Sequence, residues 1–351
     1  MNKNLRNSNI ELLRILCMLF VIGGHIIMKY GTYDIGITEY YIGNILRSFF
    51  IVAVNCFVII SGFFSIKLNI KKLIKMSIQV TFYSIIIYVI TLILGIHNFN
   101  IKNDILVIFS LFTKRYWYIT IYFILCIVSP LLNIIVEKLN KYQFKYMVFI
   151  SFILFYCFPT ICYIINSPTI TADSGYGLIN FICLYFLGRY IKIYYNDKKS
   201  KLFYATGYIL SSLALFLANN ILTKLLGFYF NSFISYDTIF LFMSSFMLFM
   251  LFKNINLNSK IINNLAKYAL VAFIIHMHPT FIDYLFYNIF RIKDYSGISY
   301  LVIIFIIPIV IYCLSWVIEW VRVKLFDSIE NTFIDKILNN KKYKKDKIGL
   351  A

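Results

Sequence analysis

The chain has 351 residues, 61% of them hydrophobic and only 14% charged, with a formal net charge of +19. That balance excludes a soluble protein of two or so domains, because apolar runs of about 20 residues, each enough to cross a bilayer, recur along the length. Nor does the positive charge point to nucleic acid: lysines and arginines sit in short segments between apolar runs, as topology signals and lipid headgroup contacts do.

Taken in order, the apolar runs predict an all-α, polytopic integral membrane protein with about ten transmembrane helices. Their expected limits are 10–30, 42–66, 74–96, 116–136, 144–165, 176–195, 202–220, 232–252, 262–285 and 299–322. The first follows Lys3 and Arg6 and shows no small-residue cleavage site, so it reads as an uncleaved span. A shorter apolar piece at 105–112 is too brief to span and belongs at the interface or in a re-entrant loop. With no long hydrophilic insert, 1–330 reads as one transmembrane domain and 331–351 as a basic cytoplasmic tail. Its Lys341-Lys342-Tyr343-Lys344-Lys345 run suits anionic lipid. The seven cysteines lie in or near apolar helices, where they read as small buried hydrophobes.

Orientation follows from the basic residues. With the amino terminus in the cytoplasm, roughly three quarters of the 34 lysines and arginines fall in inner segments. Both termini are therefore expected inside. Trp117 with Tyr118 at an outer helix end, and Trp316 with Trp320 at an inner one, fit interfacial belts.

Against that background the first span is unusual, because it carries Glu11, Arg14 and His25. Ionisable groups in a span normally face a protein interior or a watery cavity. At 100° per residue, the eleven steps from Arg14 to His25 make three turns plus about 20°, so both share a face, about 16 Å apart along the axis. Glu11 stands at the i, i+3 ion-pairing position from Arg14. Arg47, six residues into the second span, falls near the depth of His25, as do His276 and His278 in the ninth. Residues i and i+2 point apart on a regular helix, so only one of these two histidines can face a shared site, and His276 is preferred. Simpler readings stand beside these. Glu11 and Arg14 could form a snorkelling ion pair, and His25 could bond a neighbouring carbonyl. The inner Lys71, Lys72, Lys75 and Arg189 could serve only as topology determinants. Two histidines without a nearby carboxylate or cysteine do not suggest a metal.

Several short motifs, in order, resemble the acyltransferase 3 family of membrane-bound O-acyltransferases. They are Arg14 followed eleven residues on by His25, with Glu11 before them; Phe57-Val58-Ile59-Ile60-Ser61-Gly62-Phe63; Tyr116-Trp117-Tyr118-Ile119 with Ser129-Pro130; Phe186-Leu187-Gly188-Arg189; and Ala269 to Pro279. The resemblance covers nearly all the chain. It implies transfer of an acyl group, usually acetyl, from cytoplasmic acetyl-CoA or another acyl-CoA. The acceptor would be a hydroxyl of a cell-surface glycan or lipid-linked sugar, and the location the cell membrane. It further implies catalytic roles for His25, Arg14, Glu11, Arg47 and His276, with coenzyme contacts from Arg14, Lys72, Lys75 and Arg189. The chain departs from the family in carrying lysines where arginines often lead the third span, and Val271 and Ala272 where a tyrosine is usual. An alternative from another class is a transporter or flippase component for polysaccharide export.

Overall fold

A computed structural model describes residues 7–31, 37–196, 199–226 and 230–339. Lys3, Arg6 and the basic run at 341–345 lie outside them. The described chain is almost wholly helical and contains no strand. Among the described residues, seven helical segments are long and apolar enough to cross a membrane. They are α1 (Ser8–Tyr30), α2 with α3 (Thr38–Phe50 and Ala53–Phe64), α4 (Ile70–Ile93), α6 (Trp117–Lys138), α7 with α8 (Lys141–Phe152 and Phe158–Ile164), α10 (Lys201–Leu226) and α14 (Gly297–Asn339).

The other three expected spans differ from the sequence reading for physical reasons. Helices α9 (Leu178–Tyr194) and α11 (Ile239–Lys253) have 17 and 15 residues, short of the 20 or so that cross a hydrocarbon core. The ninth is broken. It runs as α12 (Lys260–Leu265), one 3₁₀ turn, then α13 (Ala269–His276), and stops before Pro279, whose ring would clash with the turn behind it and lacks a donor. At the other extreme, α14 continues well past its expected end at 322 to 339. Its 43 residues measure about 64 Å, against a hydrocarbon core of about 30 Å. The 105–112 piece forms α5 (Ile101–Ile108) and a 3₁₀ turn; Val107 and Leu111 are buried, while Ile105, Phe109 and Phe112 are exposed. Cys313, on α14, is exposed and Cys157 is half-buried, while the other five cysteines are buried.

Two glycines fix the tightest crossing. A Cβ at Gly62 of α3 would stand 2.9 Å from Tyr185 Cα, and one at Gly188 of α9 would stand 2.7 Å from Phe63 N. Only helices without side chains at those positions can come so close. This is the physical content of the Ser-Gly-Phe and Leu-Gly-Arg motifs. A second tie is polar. Glu319 of α14 accepts from Gln79 and Tyr83 of α4 at 2.7 and 2.6 Å, and from Arg322 at 2.7 and 2.8 Å. Arg322 also pairs with Glu330, and Lys75 and Lys71 of α4 pair with Asp327 and Asp335. At a spacing of four residues, Lys71, Lys75, Gln79 and Tyr83 form one stripe on α4.

Overpacking at the glycine crossing should be costly. Gly188→Ala is expected to destabilise the protein by about 1–3 kcal/mol, read as a lower temperature for loss of the monodisperse peak in detergent. Gly24→Ala, where a Cβ would meet nothing within 4 Å, should leave that temperature unchanged.

Candidate active site

The shared face of Arg14 and His25 opens on a single cavity of about 270 Å³, which both residues line. Arg47, Lys267 and Ser61 also reach its wall. Between the two ends the lining is largely aromatic, with Phe57, Tyr122 and Phe273 each meeting the ring of Tyr118. Trp117 and Tyr236 close one side, their ring centres 5.6 Å apart. Trp117 and Tyr118 are therefore part of the cavity wall. Helix-forming apolar sequence dictates this placement: Trp117 begins α6, so its first turn faces inward over the broken junction of α2 and α3 at Ile51.

The break before Pro279 positions the histidines. His276 is the last residue of α13, fully buried, and its Nδ1–H donates to the Ala272 carbonyl one turn back. A carbonyl can only accept, so the proton sits on Nδ1 and Nε2 of the neutral ring is an acceptor. His25 Nδ1 lies 3.0 Å from that Nε2 and must be its donor. The chain of bonds thus fixes the tautomer of His25. Its Nε2 carries a lone pair and has no protein partner among the described residues. His278 turns the other way, donating from Nε2 to Ser84 O at 3.0 Å and meeting Thr280 through Nδ1. It ties the end of α13 to α4. His97 is remote, in the loop after α4, bonded to Asp104.

The remaining sequence candidates are placed as follows. Glu11 and Arg14 form no ion pair. Arg14 turns to the cavity, Glu11 is buried, and neither Arg14 Nε nor Glu11 Oε2 has a partner among the described residues. Three helical steps leave the two side chains about 60° apart around α1, which accounts for their separate surroundings. Arg47 lines the cavity, also with an unpartnered buried Nε. Lys75 is engaged by Asp327, while Lys72 is exposed, and neither lines the cavity. Arg189 lies beside Tyr185, away from the cavity lining. Lys267, by contrast, belongs to none of the sequence motifs. The 3₁₀ turn between α12 and α13 brings it to the wall, and no spacing rule announces such a turn.

A helical membrane protein with an arginine and an unengaged imidazole nitrogen on one internal cavity is equipped for transfer chemistry between them. Comparison with known families agrees. The model of the acyltransferase 3 family, described as an acyltransferase domain, matches residues 7–320. The chain belongs to that family. No curated protein and no solved structure matches it.

Diethyl pyrocarbonate attacks unprotonated, accessible imidazole nitrogen, so the tautomer assignment is measurable. Peptide mass spectrometry of the folded protein is expected to find His25 modified and His276 and His278 protected. Modification of His276 ahead of His25 would reverse the assignment.

Proposed function

We propose that this chain is an integral-membrane O-acyltransferase of the cell membrane. It takes an acyl group, most simply acetyl, from cytoplasmic acyl-CoA and passes it to a hydroxyl of an envelope polysaccharide or lipid-linked sugar on the outer side. The observation that carries this reading is the continuity of one cavity from Arg14 to His25. With the amino terminus inside, as the basic residues favour, Arg14 and Lys267 stand toward the cytoplasm and His25 and Arg47 toward the outside.

Each residue then has a task. Arg14 presents a rigid fork of donors, always charged, to a phosphate or carbonyl of the donor, and Lys267 adds a second cation. The aromatic sleeve accepts the largely uncharged pantetheine arm, whose extended length is comparable to the Arg14–His25 separation. The thioester supplies an acyl carbon open to attack. His25 Nε2 takes the proton of the attacking hydroxyl and returns it to the departing sulfur, ending neutral. His276 holds the opposite nitrogen of His25 as a donor, which keeps Nε2 the basic atom. Arg47 faces the same end of the cavity and stabilises the oxyanion. The donor contacts expected of Lys72, Lys75 and Arg189 pass in this reading to Arg14 and Lys267.

The test supplies radiolabelled acetyl-CoA to membranes holding the wild type, His25→Gln or Arg14→Ala, and follows label into surface carbohydrate. Loss of a general base should lower incorporation by about 10²–10⁴-fold in His25→Gln, with little change in half-saturating acetyl-CoA. Arg14→Ala should raise the half-saturating concentration by about tenfold, the loss of one charge-assisted contact. Label that survives both substitutions overturns the proposal.

A further inference from the structure

The main cavity does not end at Arg47. Arg47 and Met28 also line a second cavity of about 260 Å³, set between the end of α1, the start of α2 and the start of α14. Its character is different. Where the first is aromatic, this one presents Glu39, Asn44, Asn231, Tyr300 and Arg47. A narrow extension shares Asn44 and Asn231 and reaches Asn219 on α10.

Three buried polar atoms along this path have no protein partner among the described residues: Tyr300 Oη, Arg47 Nε and Asn219 Oδ1. Tyr300 is wholly buried, and its hydroxyl has no bonding partner among the described residues. Buried polar groups are normally satisfied, and a run of exceptions in one crevice marks a place where another molecule completes the bonding. Gly43 strengthens the point. A Cβ there would stand 3.2 Å from Tyr300 Oη, so the glycine leaves room beside that otherwise buried hydroxyl.

The donor and acceptor mix identifies the ligand chemistry. Glu39 accepts the Gly297 N–H through Oε1 at 2.6 Å and opposes the charge of Arg47, so the crevice has one acid and one base. An anionic phosphate calls for a surplus of cations, which is missing here. Amides, a phenol and a carboxylate instead suit groups that both donate and accept, namely hydroxyls. We propose that the crevice running from Arg47 past Tyr300 and Asn231 toward Asn219 is the acceptor subsite, and that it takes an uncharged sugar residue, presenting one hydroxyl past Arg47 to His25. The inference rests on the acyl-transfer reading above and locates its second substrate.

The test uses the full chain in vesicles from the membranes that natively carry it, with radiolabelled acetyl-CoA and the glycan already present. Tyr300→Phe removes one oxygen and no packing, and Gly43→Leu fills the space over the hydroxyl. Each is expected to lower label in alkali-labile sugar esters at least tenfold, with half-saturating acetyl-CoA unchanged within twofold. Label recovered on a polymer or on a lipid-linked sugar upholds the subsite equally. Wild-type incorporation by Tyr300→Phe overturns it, whatever Gly43→Leu does to folding, as does label on a non-carbohydrate hydroxyl. A raised half-saturating acetyl-CoA in Tyr300→Phe would assign the crevice to the donor and also overturn it. A wild type that transfers no label to any acceptor brings down the acyl-transfer reading itself, and so separates the two failures.

Discussion

The backbone contact between α3 and α9 at Gly62 and Gly188 is the constraint on which the rest of the arrangement turns. It uses up one face of α3, leaving Phe57 and Ser61 on another to form the cavity wall. Because α9 is short and largely surrounded by protein, it serves as a post against which α3, α6 and α7 pack. In a bilayer, where lipid is as apolar as leucine, such close van der Waals contact does the work that the hydrophobic effect does in water. The cavity is a consequence of it. Helices pinned tightly on one side can stand apart on the other without the bundle collapsing.

Within that space polarity is confined to the ends. Arg14 and Lys267 stand at one, His25 and Arg47 at the other, and aromatic rings fill the length between. The histidine pair owes its order to a proline that ends a helix. With α13 stopped at His276, the imidazole bonds back to Ala272 O and its outer nitrogen meets α1. A continuous helix would have kept His276 and His278 as a pair pointing apart. The break instead gives one to α1 and the other to α4.

Much of this was legible in the residues. Hydropathy gave the helical class, the eleven-residue interval placed Arg14 and His25 on one face, and Pro279 marked the interruption. What was not legible depends on which neighbour a side chain meets. The Glu11–Arg14 interval permits an ion pair, but a cavity on one side of α1 separates the two. Lys75, expected as a topology determinant or a coenzyme contact, is paired with Asp327, because α14 continues far beyond the length that a bilayer requires. Tyr300 and Asn219 carry no pattern at all. Their interest lies in bonds they do not make, and that is visible only once the surrounding atoms are placed.

The hydrogen bond between His25 and His276 joins residues 251 positions apart. At bacterial or eukaryotic elongation rates of about 5–20 residues per second, a ribosome needs on the order of tens of seconds to bridge that gap. Throughout the interval the opening helix sits in the bilayer with an arginine and a histidine whose later companions have not been made. Lipid and water must shelter these groups meanwhile. A nascent chain released before its final two passages would therefore be inserted, yet would lack both the imidazole that orients His25 and the long closing helix, leaving it open to membrane quality control.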